Sequence, residues 1–174
     1  MIKKGILTLV LTAITILTFA QSQHITSAAI IFKQYNSEKD KSVKVLKIKE
    51  AKEFIDKAYN NESSSNEPKM WMYRAKIYKM IALNHSSLDD DAILKATEAH
   101  LKCMQPHSKK KNKIMIYKKW PKEEVLESLV QCGYKLFNQA IEEYSAKKYK
   151  SSLKHYNAIF DIIPFDEEDQ LKRG

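Results

Sequence analysis

The chain has 174 residues, of which 30 are Lys or Arg and 21 are Asp or Glu, giving a formal net charge of +9. Only three glycines occur, Gly5, Gly133 and Gly174, so no GxGxxG or GxxxxGKS/T phosphate loop can be assembled, and kinases, P-loop hydrolases and dinucleotide enzymes are excluded. So little glycine also argues against a sheet protein with many tight turns.

The amino end reads as a targeting segment. Lys3 and Lys4 precede a charge-free apolar stretch from Gly5 to Phe19, and Thr18-Phe19-Ala20 suits a signal peptidase. The stretch falls short of the roughly 20 apolar residues that cross a bilayer, and it carries Thr8, Thr12, Thr15 and Thr18. Residues 1–20 are therefore expected to be a cleaved signal peptide, with an uncleaved anchor as the other reading. No cysteine follows the apolar run, the first being Cys103, which closes the lipoprotein route. An exported, periplasmic or secreted product is expected, with 21–174 forming one helical-repeat domain. Loss of Lys3 and Lys4 leaves it strongly basic. In that compartment the fitting counterparts are other proteins or peptides and anionic envelope surfaces. Nucleic acid is not expected, nor stable membrane insertion once the signal is gone.

Apolar residues then recur at helical spacing almost throughout. Ala28, Ala29, Phe32 and Tyr35 mark a first helix. Ile48, Ala51, Phe54, Ile55, Ala58 and Tyr59 mark a second, which ends in the polar stretch Asn60 to Glu67. Pro68 restarts the chain, since proline suits a first helical turn, and Trp71, Ala75, Tyr78, Ile81 and Ala82 carry a third helix. A fourth holds Leu88, Ala92, Ile93, Ala96, His100 and Cys103, with Asp89, Asp90 and Asp91 at its start favouring the positive end of the helix dipole. A basic connector, 108–120, follows; its apolar run Ile114 to Tyr117 has no assigned structure. Pro121, Glu123 and Glu124 open the longest helix, with Leu126, Leu129, Val130, Gly133, Leu136, Phe137, Ala140, Ile141 and Tyr144 read as one apolar face. The last helix carries Tyr149, Leu153, Tyr156, Phe160 and Ile163 and stops at Pro164. No segment alternates with period two, so the predicted class is all-α.

Three of these helices share an internal pattern. Ala51, Ile55 and Ala58 stand at offsets of four and seven, as do Ala96, His100 and Cys103, and again Ser152, Tyr156 and Ile159. A small residue lets a neighbouring helix approach, and the bulky residue one turn later fills the gap beside it. With Trp71, Ala75 and Tyr78 in a preceding helix, and with Ala140, Ser152, Tyr156 and Pro164 at matching spacing, the chain resembles the tetratricopeptide repeat family. Its lysine-rich, exported character with an Ala20-Gln21 junction is similar to the exported repeat proteins of Bacteroidota-type bacteria.

The resemblance implies a right-handed α-α superhelix, a solenoid of about three antiparallel helix pairs in units 24–60, 68–107 and 121–164. Such solenoids bind peptides or partner domains in a groove. It further implies that groove-facing residues come from the first helix of each pair, making Arg74, Lys76, Lys79 and Asn138 candidate partner-binding residues. Departures exist: Arg74 stands where the family has leucine, the first and middle units are stretched, and Cys103 and Ile159 replace an alanine.

Other constellations are weighed on their chemistry. His100, Cys103 and His107 lie on one helical face and could be read as zinc ligands, but the first two hold packing positions, so no metal is expected. Cys103 and Cys132 could form a disulfide in an oxidising compartment or be two small buried hydrophobes, the preferred reading. Lys109, Lys110, Lys111 and Lys113, with Lys118 and Lys119 and the interleaved Tyr117 and Trp120, form a basic patch. It is either a docking site for an anionic surface or a solvated loop. Paired carboxylates at Glu123 and Glu124, and at Glu142 and Glu143, fall at helix starts or outward faces. No GxSxG exists. No catalytic residue and no cofactor are expected. The leading expectation is a non-enzymatic protein-binding or scaffold module of the cell envelope, with a structural subunit packing through its end helix as the alternative.

Overall fold

A computed structural model describes residues 23–108, 110–111, 113–167 and 171. The expected signal peptide, 1–20, lies outside them, as does Lys109. The described residues form six α-helices and two short 3-10 turns, with no strand among them beyond one isolated bridge between Pro106 and Ile114. The all-α class is therefore observed. Among the described residues, no helix is long and apolar enough to cross a membrane. The chain divides into two compact units, Met1–Met70 and Trp71–Gly174.

In the first unit, helix α1 (23–37) and helix α2 (Lys41–Tyr59) are joined by three residues. The sharp return is stabilised by Glu38, whose Oε1 accepts from the amides of Lys39 and Asp40 at 2.7 and 2.9 Å. Asp40 then caps α2, accepting from Ser42 N and Val43 N at 2.8 and 3.0 Å, which satisfies two otherwise orphaned donors. The surplus length seen in sequence is thus extra helix at the start of α2 rather than a long turn. Ring contacts at both ends, His24 with Phe54 at 6.0 Å and Lys44 over Tyr35 at 5.0 Å, fix the pair as antiparallel. Ile25, Ala28, Phe32 and Tyr35 on α1, and Ile48, Ala51, Ile55 and Ala58 on α2, are buried at three- and four-residue spacing. The polar stretch after α2 is ordered by its own side chains: buried Ser64 donates to the Ala58 carbonyl at 2.5 Å, and Asn61 Oδ1 accepts from Ser63.

Helix α3 (Pro68–Asn84) opens in the first unit and continues into the second. There it is followed by a 3-10 turn (Ser86–Leu88), α4 (Ala92–Met104), α5 (Lys122–Ser145) and α6 (Tyr149–Phe160). The surplus of the middle unit lies in the last turn of α3 and in this 3-10 segment. Asp89, Asp90 and Asp91 stand before α4 rather than on its first turn, and Asp91, at the N-cap position, makes no capping bond. Instead Asp89 is held by Lys95 at 2.7 Å and Asp91 by Lys154 at 2.9 Å.

Helix α5 packs against both α4 and α6. The compact residues Ala75, Ala96, Ala140 and Ser152 are all buried, so backbones approach closely and large neighbours such as Tyr78, Ile81, Leu129 and Leu136 close the space. Each such side chain contributes about 1.5–3 kcal/mol on burial. Ser152 illustrates how tight the α5–α6 contact is: its hydroxyl donates to the Ala140 carbonyl at 2.8 Å. The turn between these helices is a Schellman closure, with Lys147 N donating to Tyr144 O at 2.9 Å and Lys148 N to Glu143 O at 2.8 Å. It places Lys147 at φ 62°, in the left-handed region that favours glycine.

The repeated triplet has unequal fates. Ala51, Ile55 and Ala58, and Ala96, His100 and Cys103, are fully enclosed, whereas in α6 only Ser152 is, with Tyr156 and Ile159 half-buried.

Candidate interaction surface

The proposed groove residues meet different fates. Arg74 is buried, with its guanidinium 4.6 Å over the Tyr78 ring; this places it in the packing and withdraws it from a solvent-facing groove wall. Lys76 pairs with Glu124 at 3.0 Å and lies 4.9 Å over the Trp120 ring. Burial tends to raise the Glu124 carboxyl, but the hydrogen bond and charge of Lys76 outweigh it and hold its pKa low. Lys79 donates to Ser128 Oγ at 2.9 Å, and burial pushes its pKa down despite the neighbouring Glu127 and Glu124. These two lysines tie α3 to α5. Asn138 is exposed on α5.

His100, Cys103 and Cys132 lie inside the second unit. Both thiols are free and buried, and burial pushes each up to about 12. His100 Nδ1 is 2.7 Å from the Ala96 carbonyl, an acceptor only, so that nitrogen carries the proton. Its Nε2 is buried with no hydrogen-bond partner. Burial accordingly lowers the imidazole to about 4. Among the described residues no group of three or more His, Cys, Asp or Glu could hold a metal ion. His107 sits at the start of the connector, its amide donating to Lys113 O at 2.6 Å.

That connector is a folded, hairpin-like loop. Met115 N donates to Gln105 O at 2.9 Å beside the Pro106–Ile114 bridge, and Met115 and Trp120 are buried. The unassigned run Ile114 to Tyr117 is therefore its return arm. Trp120 packs 5.5 Å from His100 and is an anchor, not a surface aromatic. Lys110, Lys111 and Lys113 are exposed near the loop's tip.

A cleft of about 510 Å³ is lined by Ser86, Asp89, Asp90, Glu142, Glu143 and Ser151, among others. At its edge Ser151 Oγ donates to Glu143 Oε1 at 2.8 Å, and His155 Nδ1 lies 2.8 Å from Glu143 Oε2 and 3.0 Å from the Ser151 carbonyl. Serine, histidine and carboxylate are thus together, but the carboxylate stands between the other two. A Ser-His-Asp relay has the imidazole in the middle; here the hydroxyl's partner is the Glu143 carboxylate, so that relay is not formed.

The largest departure from expectation concerns the last two helices. On α5, Leu129, Val130, Gly133, Leu136 and Ala140 are buried, but Phe137, Ile141 and Tyr144 are exposed together with Tyr134. On α6 the buried residues are Ser152 and His155, while Tyr149, Leu153 and Phe160 face out. The two stripes meet edge to face, Phe137 with Tyr156 at 6.0 Å and Tyr144 with Tyr149 at 5.3 Å. They form one continuous apolar face, beside which Asn138 lies. Sequence periodicity carried the signal, since α5 has more apolar positions than one stripe needs, but it could not say which stripe was turned inward.

Comparison with known proteins returns no family model, no curated protein and no solved structure that matches the chain.

Proposed function

We propose that the chain is a non-enzymatic, tetratricopeptide-like interaction subunit of the bacterial cell envelope that docks a protein partner on the outward face of α5 and α6. The carrying observation is the seven large apolar side chains of that face, exposed from 38% at Phe137 to 66% at Phe160. At roughly 150–250 Å² for an aromatic side chain, these fractions amount to roughly 550–900 Å², tyrosine hydroxyls included. That lies at or above the upper end of the roughly 300–600 Å² of the largest apolar patch on a typical monomer.

The repeat reading is supported by α5, which touches α4 and also reaches α3 through Lys76–Glu124 and Lys79–Ser128, as the first helix of a stacked pair does. Export rests on residues 1–20. Groove binding through Arg74, Lys76 and Lys79 draws less support, because those side chains are engaged internally.

A photo-crosslinking amino acid placed at Leu153, in cells that export the chain, tests the proposal. A discrete protein adduct is expected from Leu153 and none from exposed Lys33 on α1. Absence of any adduct from Leu153 overturns it.

A further inference from the structure

We propose that the basic connector is a docking loop for an anionic phospholipid surface, against which the exported chain rests without inserting a helix. The loop shares no residue with the α5–α6 face, so it adds a second kind of partner to the protein docked there, and the two readings stand or fall separately.

Charge comes first. Between Glu98 and Glu123 the sequence has eight lysines and no acidic residue, against a net charge of +9 for the whole chain. Nearly all the excess charge is therefore concentrated in this stretch. Lys110, Lys111, Lys113, Lys118 and Lys119 are exposed. Among the described residues none of these five takes part in a salt bridge, whereas Lys76, Lys95 and Lys154 are paired within the fold. Nothing described in the fold neutralises the loop, and a negatively charged plane would.

Order comes second. His107 N donates to Lys113 O at 2.6 Å, Lys113 N to Lys110 O at 3.2 Å and Trp120 N to Tyr117 O at 2.8 Å, with buried Met115 and Trp120 as anchors. Lysines carried on a backbone already closed in this way meet a surface without first losing chain entropy.

Residue type comes third. The stretch has no arginine. The planar fork of arginine suits phosphates held in a fixed geometry, whereas lysine is a flexible point charge that matches the diffuse negative potential of a bilayer. Ile114 stands among the lysines, 38% exposed. An apolar side chain at that place adds a contact with the acyl boundary to the electrostatic attraction, and a purely ionic polymer offers nothing to match it.

Co-sedimentation of the chain, purified after export, with vesicles of equimolar phosphatidylglycerol and phosphatidylcholine supplies the test. Binding is expected to these vesicles and not to phosphatidylcholine alone, and it should weaken as salt screens the charge. A lysine near an anionic surface contributes about fivefold in affinity. Lys110→Glu combined with Lys111→Glu and Lys113→Glu should therefore weaken binding by about a hundredfold or more. Ile114→Ser should weaken it a few-fold and leave the salt dependence unchanged. All four side chains are exposed, so helix content by circular dichroism should not change. As a control, Lys33→Glu with Lys39→Glu and Lys41→Glu, at exposed positions of the first unit, alters net charge equally and should leave most of the binding in place. Equal binding to the two vesicle types, equal loss from the two triple variants, or indifference to Ile114→Ser overturns the proposal. Tighter binding to immobilised polyglutamate than to vesicles also overturns it and assigns the loop to an acidic protein. If the vesicles bind as expected while Leu153 gives no adduct in cells, the loop stands and the α5–α6 reading falls.

Discussion

Acidification should destabilise the second unit through His100 before any carboxylate responds. Its imidazole is fully buried, donates once to the Ala96 carbonyl, and has no acceptor for a second proton at Nε2, so the folded state resists protonation. The pKa falls from 6.5 to about 4, and between those values the unfolded chain binds the extra proton. Stability is therefore fully present above 6.5 and is lost as pH falls through about 4. At 1.36 kcal/mol per unit the whole effect is about 3 kcal/mol, of which about 2 kcal/mol is lost between about pH 7.5 and about pH 5. That is a large fraction of the roughly 5–15 kcal/mol that holds an ordinary domain together. Asp91 and Glu124, whose pKa values are lowered, by Lys154 and Lys76 respectively, add their loss only at lower pH. Urea unfolding of the wild type and of His100→Leu across this range checks it. The wild-type free energy should fall with pH and the variant's slope should be markedly flatter. Equal slopes in the two proteins would refute the assignment of the acid response to this side chain.

Lys147→Gly should stabilise the chain by about 0.5–1 kcal/mol, the left-handed cost of a side chain exceeding the entropy that glycine adds to the unfolded state; an unchanged or lower urea midpoint at constant m-value would contradict this. Asp40→Ala should cost about 1 kcal/mol by removing both bonds that cap α2, read as a drop in the thermal midpoint. Cys103 and Cys132, buried with pKa values pushed up to about 12, should be silent to a thiol reagent at neutral pH and react fully once the chain is unfolded; rapid native labelling would show that the core opens.

Helix positions were legible because each element carries its own punctuation. Three- and four-residue apolar spacing with Pro68 and Pro121 bounded the helix starts closely, whereas α6 ends at Phe160, before Ile163 and Pro164, which form a separate 3-10 turn; the small residues Ala75, Ala96, Ala140 and Ser152 were recognisable as close-packing sites. What failed was the assignment of faces. Arg74 reads as groove-facing because the family resemblance places first-helix residues there, yet its flat guanidinium stacks on Tyr78 and is buried. Phe137, Ile141, Tyr144, Tyr149, Leu153 and Phe160 looked like core because they are apolar. Only packing reveals that Ser152 and His155 turn α6 inward, using a hydroxyl that satisfies the Ala140 carbonyl and an imidazole that reaches Ser151 and Glu143. Local pattern states how many stripes a helix has, and neighbours decide which one is covered. The connector was unreadable for a related reason: among its described residues Met115 and Trp120 are the buried apolar anchors, and two residues make no periodicity.

Those two anchors make the connector a handle. With Met115 and Trp120 clamped and the Pro106–Ile114 bridge closing its neck, the stretch from Ser108 to Lys113 can lengthen outward without drawing on the helices. An epitope or a fluorescent label spliced there would leave both the α5–α6 face and the helix stack untouched, and would report on the chain in its assembled state.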